Sequence, residues 1–331
     1  MNSRNQRTAD GINLEGASYV IIDGFNMINQ PRAGIRAVID NHVTIRNNVM
    51  DNNATWGILT GFSDDVLIEN NVASHSGTQH GIYFSDSGDR PTIRGNILFS
   101  NGGCGIQLNA SLGDGGDGII SNPLIENNMI YDNGRIGGAG INLDGVVGGT
   151  IRNNLLYNNH AGGLVLYMFN GAVPSTDNLV ENNTIAMPTD GRWAVNIGTA
   201  SVRNTLLNNI IVTASTYRGA IEISNDSLPG LKSDYNAVSN LFTIDDAARP
   251  NLAQWQATTG QDLHSFVSTP ASLFLNSAAN DYHLATTSPA IDTGTSITAS
   301  GTDLEGKPRP SGHGYDIGAY FYCFAAQFAI R

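Results

Sequence analysis

A Gly-apolar pair recurs at Gly11-Ile12, Gly34-Ile35, Gly57-Ile58, Gly81-Ile82, Gly105-Ile106, Gly140-Ile141 and Gly163-Leu164, with successive spacings of 23, 23, 24, 24, 35 and 23 residues. A unit this short cannot bury a core alone, so each repeat must stack on its neighbours. A second column keeps step with the first: Asn48, Asn71, Asn96, Asn128, Asn154, Asn183 and Asn209, closing the runs IRNN, IENN, IRGN, IENN, IRNN, VENN and LLNN. Two registers sharing one period mean a solenoid.

Each unit holds three short alternating apolar runs, as in GIRAV, VTIR and NVMD. Asn or Gly separates them, residues for which the left-handed turn conformation is cheap. The fold class is therefore all-β, a parallel β-solenoid with three strands per coil. An Asn repeated at one turn can hydrogen-bond its copies in adjacent coils and satisfy turn backbone that stacking buries. The column is expected to face inward at a single turn. Two residues before it stand Arg46, Glu69, Arg94, Glu126, Arg152 and Glu181, alternating in sign without a break. Stacked strands lie about 4.8 Å apart, so each charge would sit between opposite ones on an outer face. That column reads as structural.

Composition narrows the function. Charged residues are 14% of the chain, Gly and Asn each number 38, the net charge is -12, and Lys232 and Lys307 are the two lysines. Without a basic run, no nucleic-acid partner is expected. No apolar stretch approaches the roughly 20 residues that span a bilayer, and the opening MNSRNQRTAD carries no apolar signal-peptide core. Cys104 and Cys323 are too far apart in sequence to suggest a disulfide framework or a thiolate metal site.

The expected organisation is a thin lead or cap over 1–10, the parallel β-helix over 11–240 and a C-terminal cap over 241–331. Within that cap, ARPNLAQWQATTG should form one short helix ending at Gly260. The cap would cover the open edge that a last coil exposes.

HGIYFSDSGD, GGCGIQLN and the tail segments SPAIDTG, GKPRP and DIGAY resemble those of secreted bacterial β-helix proteins, broadly similar to the pectate lyase and mannuronan epimerase superfamily. The resemblance implies a right-handed helix, an extracellular or cell-surface location and action on a polysaccharide or oligosaccharide.

Alternation in the first strand of each coil sends Asn13, Arg36, Leu59, Tyr83, Gln107, Asn142, Val165, Asn196 and Glu222 outward. A second outward column includes Ser85, Asn109, Asp144 and Tyr167. The coil from Gly105 gains SLGDGGDGIISNP after its first strand, and the coil from Gly163 gains FNGAVPSTD at the same place. The coil between them is short. The loops at 111–122 and 170–177 are expected to wall a groove floored by Asn109, Asn142, Asp144 and Tyr167, with Tyr83 at its far end.

For β-elimination the catalytic candidates are Asp144, Tyr167, Tyr83 and His80, and the substrate-binding candidates are Asn109, Asn142, Gln107 and Arg90. Asp114 and Asp117 are possible Ca²⁺ ligands, two acids that need further oxygens to complete a site. Each has a plainer reading. His80 shares an inward column with Trp56, Cys104 and Trp193, Tyr83 can merely cover the sheet, Asp144 precedes a turn glycine, and His160 sits in a solvated turn. Inverting glycoside hydrolysis is the alternative, needing two carboxyls roughly 6.5–9.5 Å apart, such as Asp144 with Asp114 or Asp117. The NTD, DD, GHG and RIK series of polygalacturonases is not found in that arrangement. A non-catalytic glycan-binding or surface solenoid is the third reading. Because the chain is acidic, a polyanionic glycan would need calcium or local arginines such as Arg36 and Arg90.

Overall fold

Ile35, Ile58, Ile82, Ile106, Ile141 and Leu164, the residues that follow the repeating glycines, point into one continuous core and are 0–1% exposed. The structure, a computed structural model, describes residues 9–297, 300–310 and 312–322. Three parallel sheets run its length: ten strands from Ile12–Glu15 to Phe242–Ile244, nine from Ile21–Asp23 to Lys232–Asp234, and ten from Asn26–Ile28 to Phe266–Val267. Each strand pairs with its counterpart one coil away, so the chain is a right-handed parallel β-solenoid. Among the described residues no helix is long and apolar enough to cross a membrane.

The asparagine column is continuous at the turn between the second and third sheets. Asn48, Asn71, Asn96, Asn128, Asn154, Asn183 and Asn209 are all at most 1% exposed, and from Asn71 onward each side-chain oxygen accepts from the asparagine before it. Asn236 extends the series. A second ladder, Asn101, Asn133 and Asn159, follows at the turn leading to the first sheet. It occupies the corresponding turn-closing place.

In the second sheet Arg46, Glu69, Arg94, Glu126, Arg152 and Glu181 stand in register. Arg94 pairs with Glu69 and Arg152 with Glu126, each at 2.8 Å, while Arg46 pairs with Asp23. Glu181 keeps its place in that column but is covered. It is 1% exposed, in a region where the C-terminal segment folds back over the tube: Asn182 donates to the carbonyl of Asp316, and Arg309 lies close enough to feel the Glu181 charge.

The expected helix forms at Leu252–Thr259, with an Asn251/Gln254 capping box and Gly260 in the left-handed conformation at its end. Trp255 is fully buried and stacks on Phe242 of the first sheet's last strand, closing the open edge. Beyond it the chain returns along the outer side of the third sheet, where Leu273, Phe274, Tyr282, Ile317 and Tyr320 pack on Leu155, Tyr157 and Ile210. Most of the expected lead at 1–10, and the tail with Cys323, lie outside the described residues.

Candidate functional site

The first outward column is realised in full: Asn13, Arg36, Leu59, Tyr83, Gln107, Asn142, Val165, Asn196 and Glu222 are successive partners across the first sheet. In its middle a small polar network forms. The Asn142 amide donates to the Gln107 side-chain oxygen at 2.7 Å and to the Tyr167 hydroxyl at 3.2 Å. Gln107 in turn reaches Asn109 at 3.5 Å and accepts from the Cys104 thiol. Tyr83 lies against Trp56 and His80 at ring separations of 6.0 and 5.2 Å. Burial, then the nearby Asp86 and Asp114 charges, pushes the Tyr83 phenol up to about 12, and burial followed by the Asp144 charge raises Tyr167. Both are held as neutral phenols, suited to hydrogen-bonding a sugar rather than to taking its proton.

Several expected site residues are committed elsewhere. His80 Nδ1 accepts the Cys104 backbone N–H at 2.9 Å, and burial pushes the ring's pKa down to about 4. With that lone pair used, the neutral ring has its proton on Nε2 and can donate but not accept there. Arg90 is held by both oxygens of Asp65, at 2.8 and 2.9 Å, and Arg36 is held by Glu15. Neither offers an open positive charge. Asp114 accepts from the Ser111 hydroxyl and Asp117 from the Ile119 backbone. Among the described residues no three acids, histidines or cysteines gather for a metal ion, so the expected calcium pair has no further protein carboxylate or imidazole to complete it.

Asp144 does not lie on an open floor. It is 0% exposed, and its carboxylate accepts from the backbone N–H groups of Phe169, Asn170 and Gly171 at 2.8, 2.9 and 3.3 Å. This holds the start of the long loop after Gly162–Tyr167. Asp144→Asn is therefore expected to lower stability by about 1–3 kcal/mol in a denaturant titration, because one carboxylate oxygen becomes a donor facing a donor. A change within tenths of a kcal/mol would remove this account of the loop.

The two long loops do not stand apart as walls. Leu112 N–H donates to the Asn170 carbonyl at 3.0 Å and Ala172 N–H to the Gly118 carbonyl at 2.8 Å. Gly145 lies between them at φ +66°, where a Cβ would come within 2.9 Å of the Gly171 Cα. The short coil leaves nothing to hold the loops apart. They close over it into one rim at the C-terminal ends of the first-sheet strands.

The open cavity lies toward the other ends of those strands, displaced along the tube. It is a pocket of about 520 Å³ lined by Asn142, Val165, Asn196 and Glu222 of the outward column and by Arg192, Trp193 and Arg218 of the preceding turns. Glu222 Oε2 accepts from the Asn196 amide at 2.6 Å. Burial raises the Glu222 pKa above the ordinary glutamate value, opposed by the Asn196 hydrogen bond; Asp246 adds to the rise, and Arg218 and Arg249 counter it. Arg192, Arg218 and Glu222 are not among the sequence-expected site residues. A signal was present: Arg192 precedes outward Asn196 by four residues, and Arg218 precedes outward Glu222 by the same four, in consecutive coils.

Residues 2–115 match the family described as right handed beta helix region. Among solved structures, pectate lyase Pel9A is similar at 17% identity and a TM-score of 0.58, over 90% of this chain and 70% of that one. The A-module of Azotobacter vinelandii mannuronan C-5 epimerase AlgE6 is similar at 16% identity and a TM-score of 0.55, over 76% of this chain and 61% of that one. The corresponding AlgE4 module gives 18% identity and 0.50, over 72% and 61%. At such identities the likeness is one of fold. No curated protein sequence matches the chain.

Proposed function

We propose that this protein is a carbohydrate-active enzyme that cleaves an acidic polysaccharide or oligosaccharide by β-elimination over the first sheet, acting outside the cell or at its surface. The observation that carries the reading is the pocket of about 520 Å³ with Glu222 as its one lining carboxyl, in an outward column that brings Asn142 and Asn196 beside it. Elimination needs one base beside the sugar. Inverting hydrolysis needs two carboxyls about 6.5–9.5 Å apart with a water between them, and Asp144, the expected partner in such a pair, is fully buried under its loop.

In the proposed reaction the Glu222 carboxylate takes the proton on the carbon next to the sugar's carboxylate. The electrons of that C–H bond become the new carbon–carbon double bond, the adjacent C–O bond breaks, the leaving oxygen is protonated by water in the open groove, and the hydroxide so formed takes the proton from Glu222 and restores its carboxylate. Asn142, Gln107, Asn109, Tyr167 and Tyr83 would hold neighbouring sugar units along the column. The fold is shared with a pectate lyase and a mannuronan C-5 epimerase and is compatible with this. The test is incubation with a panel of acidic and neutral glycans, following unsaturated-uronate absorbance beside reducing ends. Absorbance growth is expected; reducing ends without absorbance would mean hydrolysis, and binding without either would mean a glycan-binding solenoid.

A further inference from the structure

We infer that Arg192 and Arg218 form an anion-binding subsite that selects a carboxylate-bearing sugar and holds its carboxylate beside Glu222. The inference deepens the elimination reading and takes its glycan substrate as premise. It starts from where the arginines are spent. Among the described residues Arg32, Arg36, Arg46, Arg90, Arg94, Arg135, Arg152, Arg203 and Arg249 all pair with a carboxylate. Arg309 is buried on the carbonyls of Asp316, Gly318 and Ala319. The arginines that remain without a carboxylate ion pair among the described residues are Arg192 and Arg218, and both line the same pocket.

Their placement is not accidental to the repeat. Val195 and Ile221 are direct partners in the first sheet, and each arginine lies three residues before its strand partner. The two therefore hold equivalent sequence positions before paired strands of adjacent coils, strands that lie about 4.8 Å apart. Like charges stacked in one column repel. In the second sheet the chain avoids this by alternating arginine with glutamate. Here no acid separates the two, and an anion lying across both would relieve the repulsion while accepting charge-assisted hydrogen bonds from two guanidinium forks. Glu222, on the floor one strand position beyond Asn196, is half-buried and its carboxylate is bonded to the Asn196 amide. The site would also let a chain of net charge -12 admit an acidic glycan, because the pocket lining carries two arginines against one glutamate.

The experiment is calorimetric binding to the intact protein of tetramers of galacturonate, mannuronate, guluronate and glucuronate, each beside its carboxyl-reduced neutral counterpart. At least one acidic tetramer should bind ten-fold or more tighter than its reduced form, by roughly the value of one or two charge-assisted hydrogen bonds. Arg192→Ala and Arg218→Ala should each erase about ten-fold of that difference and leave binding of the reduced tetramer unchanged. Arg218→Lys should keep part of it, and thermal melts identify any variant that fails to fold. Equal binding of acidic and reduced tetramers, no binding of any acidic tetramer, or undiminished selectivity in the folded double variant Arg192→Ala/Arg218→Ala would each overturn the inference. Because binding heat and product absorbance are followed separately, acid-selective binding without unsaturated product would leave the subsite standing and sink the elimination, and unsaturated product without selectivity would do the reverse.

Discussion

Glu222→Gln is expected to lower turnover by about 10² or more while leaving KM and the melting temperature nearly unchanged. General-base catalysis contributes roughly 10²–10⁴, and a glutamine has the same shape but no proton-accepting carboxylate. Its side-chain oxygen can still accept from Asn196, whose amide now bonds Glu222 Oε2 at 2.6 Å, so no buried partner is stranded. The pH profile separates a base from a mere binding group. Burial raises the Glu222 pKa, Asp246 adds to the rise, and the Asn196 bond together with Arg218 and Arg249 opposes it. A base works ionised, so wild-type kcat should climb with pH through a midpoint above the ordinary glutamate value. That limb should vanish in the variant. Full turnover in Glu222→Gln, or an unchanged acidic limb, would remove Glu222 from the chemistry.

What could be read from the sequence was what repeats. The asparagine column, the alternating charges and both outward columns each recur once per coil, and stacking forces such residues into register. The helix at Leu252–Thr259 was legible from its local signals at either end. Insertions obeyed no such rule. The loops at 111–122 and 170–177 were expected as two walls, yet their conformations are set by each other, through the Leu112–Asn170 and Ala172–Gly118 backbone bonds. Strand parity placed Asp144 on the outer face correctly, but an outer position is open only if nothing folds over it, and the next coil's loop does. The same limit hid the pocket. Parity gave its floor, Asn142, Asn196 and Glu222, while Arg192 and Arg218 come from turns whose direction alternation does not fix. Arg36 and Arg90 failed as open charges for a simpler reason: Glu15 and Asp65 stand one coil back and neutralise them.

Asn128→Ala is expected to be the most destabilising of these substitutions, by about 2–5 kcal/mol in a denaturant titration, without touching the proposed site. Asn128 is fully buried. Its side-chain oxygen accepts both the backbone N–H and the side-chain amide of Asn96, at 2.9 and 3.0 Å, and its own amide donates to the Ile93 carbonyl and to Asn154. Alanine removes both ends at once. It strips the Asn96 backbone N–H of its acceptor and takes one acceptor from the Asn96 amide, which keeps the Ile68 and Arg94 carbonyls; a buried donor left without a partner costs roughly 1–3 kcal/mol, and the vacated volume adds to it. An exposed charge in the neighbouring column makes the contrast: Arg94 loses one pair to Glu69 when truncated, worth about 0–1 kcal/mol. The asparagines thus carry stability per residue that the ion pairs do not, because the turn backbone they serve is sealed between coils and the charges face solvent. If Asn128→Ala cost no more than Arg94→Ala, the turn must satisfy its backbone in some other way, and the ladder would be a consequence of stacking rather than a cause of it.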